Sequence, residues 1–62
     1  MEHSNLLKLN PVVLLSVINT KLRDYYSSLE LLCDDLNIDK VSLEAIFSKI
    51  NYFYNEKENQ FK

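Results

Sequence analysis

The chain has 62 residues, no glycine, one proline, one cysteine and a formal charge of −2. A chain this short forms one domain at most and buries only about 60% of the surface of its unfolded state, so a second copy or a partner would help to stabilise it. A single cysteine excludes an internal disulfide, and the apolar run 11–15 is far shorter than the ~20 residues of a membrane span. These features predict a soluble, cytoplasmic protein without a membrane segment.

Residues 1–9 show no clear hydrophobic period and are interpreted as a loose N-terminal arm, which leaves residues 10–62 as the single domain; the alternative is that Leu6, Leu7 and Leu9 lie across the core. His3 is the only histidine, and it is assigned no role because a metal site needs several converging ligands. Asn10 and Pro11 form a strong helix start, since Asn caps free N–H groups and Pro lacks the N–H that would need a partner. The first helix is then predicted from apolar residues at helical spacing, Leu14, Leu15, Ile18 and Leu22.

The first helix offers a candidate docking surface. Val13 and Val17 widen its apolar face, which indicates a helix at the centre of the core or one shared with another subunit. Asn19, Lys21 and Arg23 lie on the opposite, polar face. That face is either a solvated surface or an interaction surface with Arg23 as its anchor, a residue type that is frequent at binding hot spots.

The second helix is predicted to begin at Ser27. Ser27 and Glu30 have the spacing of a capping box, and Tyr26 and Leu31 have the spacing of a hydrophobic staple. The buried face of this helix is expected to contain Leu29, Leu32, Cys33 and Leu36. Cys33 is interpreted as a small core residue, because its acidic neighbours disfavour a reactive thiolate.

Asn37 is predicted to adopt the left-handed conformation that separates the two helices of a helix-turn-helix. Asp39 would cap a third helix that runs from Val41 or Ser42 to Ile50. The expected core positions of this helix are Leu43, Ile46, Phe47 and Ile50.

The last segment, NYFYNEKENQFK, is predicted to form a β-hairpin. A turn over residues 55–58 would pair Tyr54 with Asn59 and Tyr52 with Phe61. The predicted fold is therefore mainly α: a three-helix, helix-turn-helix-like domain followed by a short C-terminal hairpin, similar to a winged helix.

Charge argues against nucleic acid as the first choice of partner. Residues 27–50 carry two lysines against five acids, a balance of −3, which is the wrong sign for a surface that approaches phosphates. DNA binding remains the alternative, and it would need a dimer to gather enough positive charge. Its candidate contacts are Lys40, Ser42, Lys49 and Lys57.

Catalytic motifs are missing from the sequence: it has no glycine-rich phosphate loop and no nucleophile beside a histidine. We expect neither an enzyme nor a cofactor, metal or small-molecule substrate. The preferred hypothesis is a binding module for protein–protein interaction or self-association. Self-association would form a homodimer through Val13, Val17 and the aromatic hairpin. The alternative is an accessory DNA-binding protein of the winged helix-turn-helix type.

The sequence also resembles a family of very short bacterial proteins known as domain of unknown function 4250. The resemblance covers residues 10–61 and implies no activity, cofactor or partner. Members often have Asp before the proline and Gly or Asp before the aromatic pair, where this chain has Asn10 and Asn51. Because the shared pattern includes polar residues of the first helix, it favours a functional surface there. The residues that carry the resemblance are Asn10-Pro11-Val12, Leu14-Leu15-Ser16, Asn19 to Asp24, Tyr26 to Leu29, Leu32 to Asp35, Ile38-Asp39-Lys40 and Asn59-Gln60-Phe61.

Overall fold

A computed structural model describes residues 7–62 of the chain. Three helices, α1 (Pro11–Asp24), α2 (Leu29–Leu36) and α3 (Lys40–Ser48), precede a two-stranded antiparallel hairpin of β1 (Tyr54–Asn55) and β2 (Gln60–Phe61). This order confirms the predicted fold class. The interpretation of His3, and of most of the proposed arm 1–9, falls on residues outside this range. Within the range, Leu7 packs against the core.

Helix α1 begins as predicted. The side chain of Asn10 accepts a hydrogen bond of 2.9 Å from the N–H of Val12, and Pro11 occupies the first turn. Leu14, Ile18 and Leu22, spaced one turn apart, are the buried residues of this helix. The apolar stripe therefore places one face of α1 in the core.

The predicted start of α2 is wrong by one residue. Ser28, not Ser27, is the N-cap, and its Oγ accepts a hydrogen bond of 3.2 Å from the N–H of Leu31. Helix α1 ends at Asp24, and the N–H groups of Tyr25 and Tyr26 both bond to the C=O of Lys21, at 2.8 and 3.0 Å. The capping box of Ser27 and Glu30 is consequently not formed. Leu31, the predicted partner of Tyr26 in the staple, is 52% exposed.

The connection between α2 and α3 agrees with the prediction. Asn37 adopts φ 57° and ψ 46°, and its N–H bonds to carbonyls at the end of α2. Ile38 is buried beneath this turn. The Asp39 side chain accepts a hydrogen bond of 3.1 Å from the N–H of Ser42, so it caps α3 as expected.

Helix α3 starts slightly earlier than predicted and ends before Ile50. Its C-terminus is closed by Asn51, which has φ 65°, and the N–H of Tyr52 bonds to the C=O of Phe47 at 2.9 Å. Leu43 and Phe47 are fully buried, whereas Ile46 and Ile50 are half-buried against the core. The turn after Ser48 brings the following aromatic segment back along the helix.

The hairpin forms, but its predicted register is wrong by two residues. Tyr54 pairs with Phe61 and Asn55 pairs with Gln60, so the turn spans residues 56–59. Asn55 closes this turn with its side chain, which accepts hydrogen bonds from the N–H groups of Lys57 at 2.9 Å and Glu58 at 3.2 Å. Asn59 ends it with φ 56°, a conformation that Asn tolerates better than most residues.

The core lies where the three helices meet the hairpin. The rings of Phe47 and Phe61 pack edge to face with their centroids 4.5 Å apart, and Tyr54 adds a second contact to Phe61 at 5.6 Å. Burial of a Phe side chain stabilises a fold by about 1.5–3 kcal/mol, so Phe61 ties the hairpin to α3. The buried core residues are Leu14, Ile18, Leu22, Leu29, Leu32, Cys33, Leu36, Ile38, Leu43, Phe47 and Phe61.

Candidate functional site

The position of the hairpin is set by Asn19 on α1. The N–H of Phe61 donates to Asn19 Oδ1 at 2.7 Å, and Asn19 Nδ2 donates to the C=O of Phe61 at 3.1 Å. One carboxamide thus satisfies both outward backbone groups of a β2 residue, as a neighbouring strand would. Asn19 was predicted to belong to an interaction surface, but in the structure its amide group bonds to the hairpin backbone.

Asn59 and Tyr54 attach the hairpin to two helix ends. Asn59 Nδ2 donates to the C=O of Leu22 at 2.9 Å and to that of Tyr26 at 2.8 Å, where α1 leaves carbonyls without helical partners. The hydroxyl of Tyr54 donates to Asn59 Oδ1 at 2.5 Å and accepts from the N–H of Leu29 at 3.3 Å. Sequence reasoning missed these roles, although Asn59-Gln60-Phe61 belonged to the pattern that resembles the family.

With the hairpin held in this way, an open groove of about 950 Å³ lies between α3 and β1. Its apolar lining is unusually exposed for large side chains: Val41 is 71% exposed, Phe53 60% and Tyr52 38%. Ala45 on α3 and Tyr54 on β1 complete the apolar part of the wall. Apolar side chains gathered along one concave surface mark an interaction site more often than isolated ones do.

Charges of both signs border this groove. Lys40 and Glu44 lie on the helical side and Glu56 and Lys57 on the hairpin side, so its ionised side chains balance. Lys40 Nζ also forms a 3.0 Å salt bridge with Glu30 on α2. This hydrogen bond from Lys40 to the Glu30 carboxylate lowers the pKa of Glu30 and raises the pKa of Lys40.

The four predicted nucleic-acid contacts are only partly brought together. Lys40 and Lys57 line the groove, with Lys40 already paired to an acid. Ser42 donates its hydroxyl to the Asp39 carboxylate at 2.9 Å, which makes it part of the α3 cap. Lys49 is exposed beyond the end of α3 and is not among the groove-lining residues.

The predicted surface on α1 is divided by the structure. Asn19 and Arg23 line a shallow depression of about 390 Å³ together with Val12 and Tyr52. Lys21 lies elsewhere, with its Nζ 5.9 Å from the centre of the Tyr25 ring.

Arg23 already has a partner within the chain. Its guanidinium forms hydrogen bonds of 2.9 and 3.1 Å with the Asp24 carboxylate. This contact raises the pKa of Arg23 and lowers the pKa of Asp24, chiefly through the hydrogen bonds. Because Asp24 partly neutralises the guanidinium, α1 presents a weaker positive charge to an external ligand than an unpaired Arg23 would.

Cys33 is buried in the core, as predicted. Burial raises the pKa of its thiol, which disfavours the reactive thiolate. Among residues 7–62, no group of three or more acidic, histidine or cysteine side chains is arranged to hold a metal ion.

The family model for domain of unknown function DUF4250 matches residues 8–61. The chain belongs to this family. The match spans all three helices and the hairpin, including Asn19, Asn59 and the residues of the groove. Comparison with curated proteins and with solved structures gives no match. In the part of the chain that the structure describes, no helix is both long and apolar enough to cross a membrane.

Proposed function

We propose that this DUF4250 domain is a non-enzymatic binding module whose groove between α3 and the hairpin accepts a protein surface. The observation that carries the proposal is the exposure of Val41 and Phe53, at 71% and 60%, on the two walls of one groove. Covering a side chain such as Phe contributes about 1.5–3 kcal/mol. Two such residues on facing walls therefore supply a substantial part of the free energy of a specific complex.

The residue types of the groove support a protein partner. Aromatic side chains are enriched in the buried centre of protein interfaces, whereas charges are found at the rim. Tyr52 and Phe53 provide the aromatic centre, and the ionised side chains lie beside it on α3 and on the hairpin turn.

Duplex DNA is the alternative partner, and the helix-turn-helix geometry around Asn37 is the observation in its favour. Charge opposes it, because Glu44 and Glu56 line the same groove as Lys40 and Lys57. A phosphate backbone requires an excess of positive charge that this groove does not have.

Site-specific photo-crosslinking tests the proposal. Replacing Phe53 with p-benzoylphenylalanine puts a photoreactive ring in the groove, and the same replacement at Tyr25 is the matched control. Tyr25 is 74% exposed and does not line the groove. Irradiation of cells that produce the chain is expected to give a protein adduct from position 53 and none from position 25.

The mass of the adduct identifies the partner class. A second copy adds 7.3 kDa, another protein adds its own mass, and a nuclease-sensitive adduct indicates DNA. Absence of a protein adduct at position 53, or equal adducts at both positions, would refute the groove as the binding surface.

A further inference from the structure

The two edges of the hairpin differ in whether their outward backbone groups form hydrogen bonds. Phe53 and Lys62 exchange both backbone hydrogen bonds, each 2.9 Å long. Tyr54 and Phe61, the next pair, therefore point their N–H and C=O groups away from each other. On the β2 side, Asn19 satisfies both outward groups of Phe61.

On the β1 side, no side chain of the described residues bonds to the outward N–H and C=O groups of Tyr54 in the way that Asn19 bonds to Phe61. Within residues 7–62, neither the backbone N–H nor the C=O of Tyr54 forms a hydrogen bond. Tyr54 lines the groove, so this open strand edge lies beside the exposed Phe53 and Val41. An unpaired edge of this kind is a template for another strand.

We propose that the strand added to this edge is β1 of a second copy of the chain, antiparallel about a two-fold axis that places Tyr54 opposite Tyr54. This inference rests on the proposed function, because it names the protein that occupies the groove. In such a pair each Tyr54 donates its N–H to the C=O of the other copy. Phe53 then lies opposite Asn55 of the second copy, and the pairing ends there because residue 56 lies in the hairpin turn and the N–H of Tyr52 already bonds to Phe47.

Self-complementarity favours a second copy over another ligand. A two-fold antiparallel pair requires one residue that presents both a donor and an acceptor on the same edge, and Tyr54 does so. The groove carries Lys40 and Lys57 against Glu44 and Glu56, so two identical surfaces meet without net repulsion. The pairing also buries Phe53, the most exposed aromatic residue of the groove.

Sedimentation equilibrium and mixed-isotope NMR test the pairing. Equal amounts of labelled and unlabelled chain are expected to show an intermolecular contact between the Hα of Phe53 and the Hα of Asn55. Their Cα atoms would be about 4.5 Å apart across the proposed pair. The same two residues are about 6.6 Å apart along one strand, so the contact is specific for the dimer.

Phe53→Lys should weaken the dimer by at least about tenfold, because a lysine on the strand edge opposes pairing. Tyr25→Lys is the matched control, since it replaces an exposed aromatic residue outside the groove, and it should change the dissociation constant by less than about twofold. Unchanged melting temperatures would show that both variants keep the fold.

A dimer that lacks the contact between Phe53 and Asn55, or that resists Phe53→Lys, would overturn the inference. A strict monomer at millimolar concentration would overturn it as well. If the photoreactive ring at position 53 then captured a different protein, the proposed function would stand and this inference alone would fail.

Discussion

Replacing Asn19 with alanine should remove the clamp that holds the hairpin on α1. The change deletes the hydrogen bonds of 2.7 and 3.1 Å to the backbone of Phe61 and leaves both groups partly buried. Each such bond contributes about 0.5–1.5 kcal/mol net, so the expected loss is about 2 kcal/mol. A domain of this length has a free energy of unfolding of about 3–9 kcal/mol, which makes this loss a large fraction.

Thermal unfolding followed by circular dichroism measures the effect. At about 4–8 °C per kcal/mol, Asn19→Ala should lower the melting temperature by about 8–16 °C. Thr20→Ala is the control, because Thr20 is the exposed neighbour on the same helix, and it should change stability by less than about 0.5 kcal/mol. Equal melting temperatures for the two variants would refute the role of Asn19 as a clamp.

Three further outcomes are expected. Asn37→Gly should keep or raise the melting temperature while Asn37→Ala lowers stability by about 1 kcal/mol, because φ is 57° there; equal effects would contradict the left-handed turn. The Cys33 thiol should react with a colorimetric thiol reagent far more slowly than free cysteine until denaturant is added, and rapid native reaction would contradict its burial. The pKa of Glu30 is lowered by Lys40, so the stabilisation from this pair is present above the ordinary glutamate pKa of about 4.3 and lost as pH falls through the lower folded-state value. Lys40→Ala should therefore make urea-unfolding stability less dependent on pH in this acid range, and an unchanged dependence would show that the salt bridge contributes nothing.

The features that were predicted correctly from sequence depend on short stretches of chain. Asn10 and Asp39 cap helices because their side chains reach N–H groups two or three residues away. Asn37 adopts a left-handed conformation at the helix end, which Asn tolerates better than most residues other than glycine. Such local rules, together with apolar residues at helical spacing, were sufficient to predict the three helices.

The features that were predicted wrongly depend on contacts between distant residues. The hairpin register follows from Asn19 and Asn59, which join it to α1 across more than thirty positions of sequence. Alternation of aromatic residues alone allows two registers that differ by two residues, since both keep the same side chains on one face. The start of α2 lies one residue later than predicted because Ser27 and Ser28 are both good N-cap residues, and the local sequence pattern does not distinguish them.

Only part of the lining of the candidate groove could be predicted from the sequence. Phe53 and Tyr52 were expected to belong to an aromatic hairpin, but Val41 was not expected to face them across a groove. The position of Val41 relative to the aromatic residues depends on where α3 begins and on the turn at Asn51, which has a positive φ. The exposed side chains of α1 could be predicted from sequence because helical spacing is a local pattern.

The molecule proposed to cover the groove between α3 and β1 is a second copy of the chain. Backbone amide NMR shifts, recorded as the concentration of the chain rises from micromolar to millimolar, test this proposal residue by residue. Formation of the dimer should shift the amide signals of Val41, Phe53 and Tyr54 and slow hydrogen exchange at the Tyr54 amide. Shifts confined to Val12 and Arg23 on α1, or none at all, would contradict the proposal.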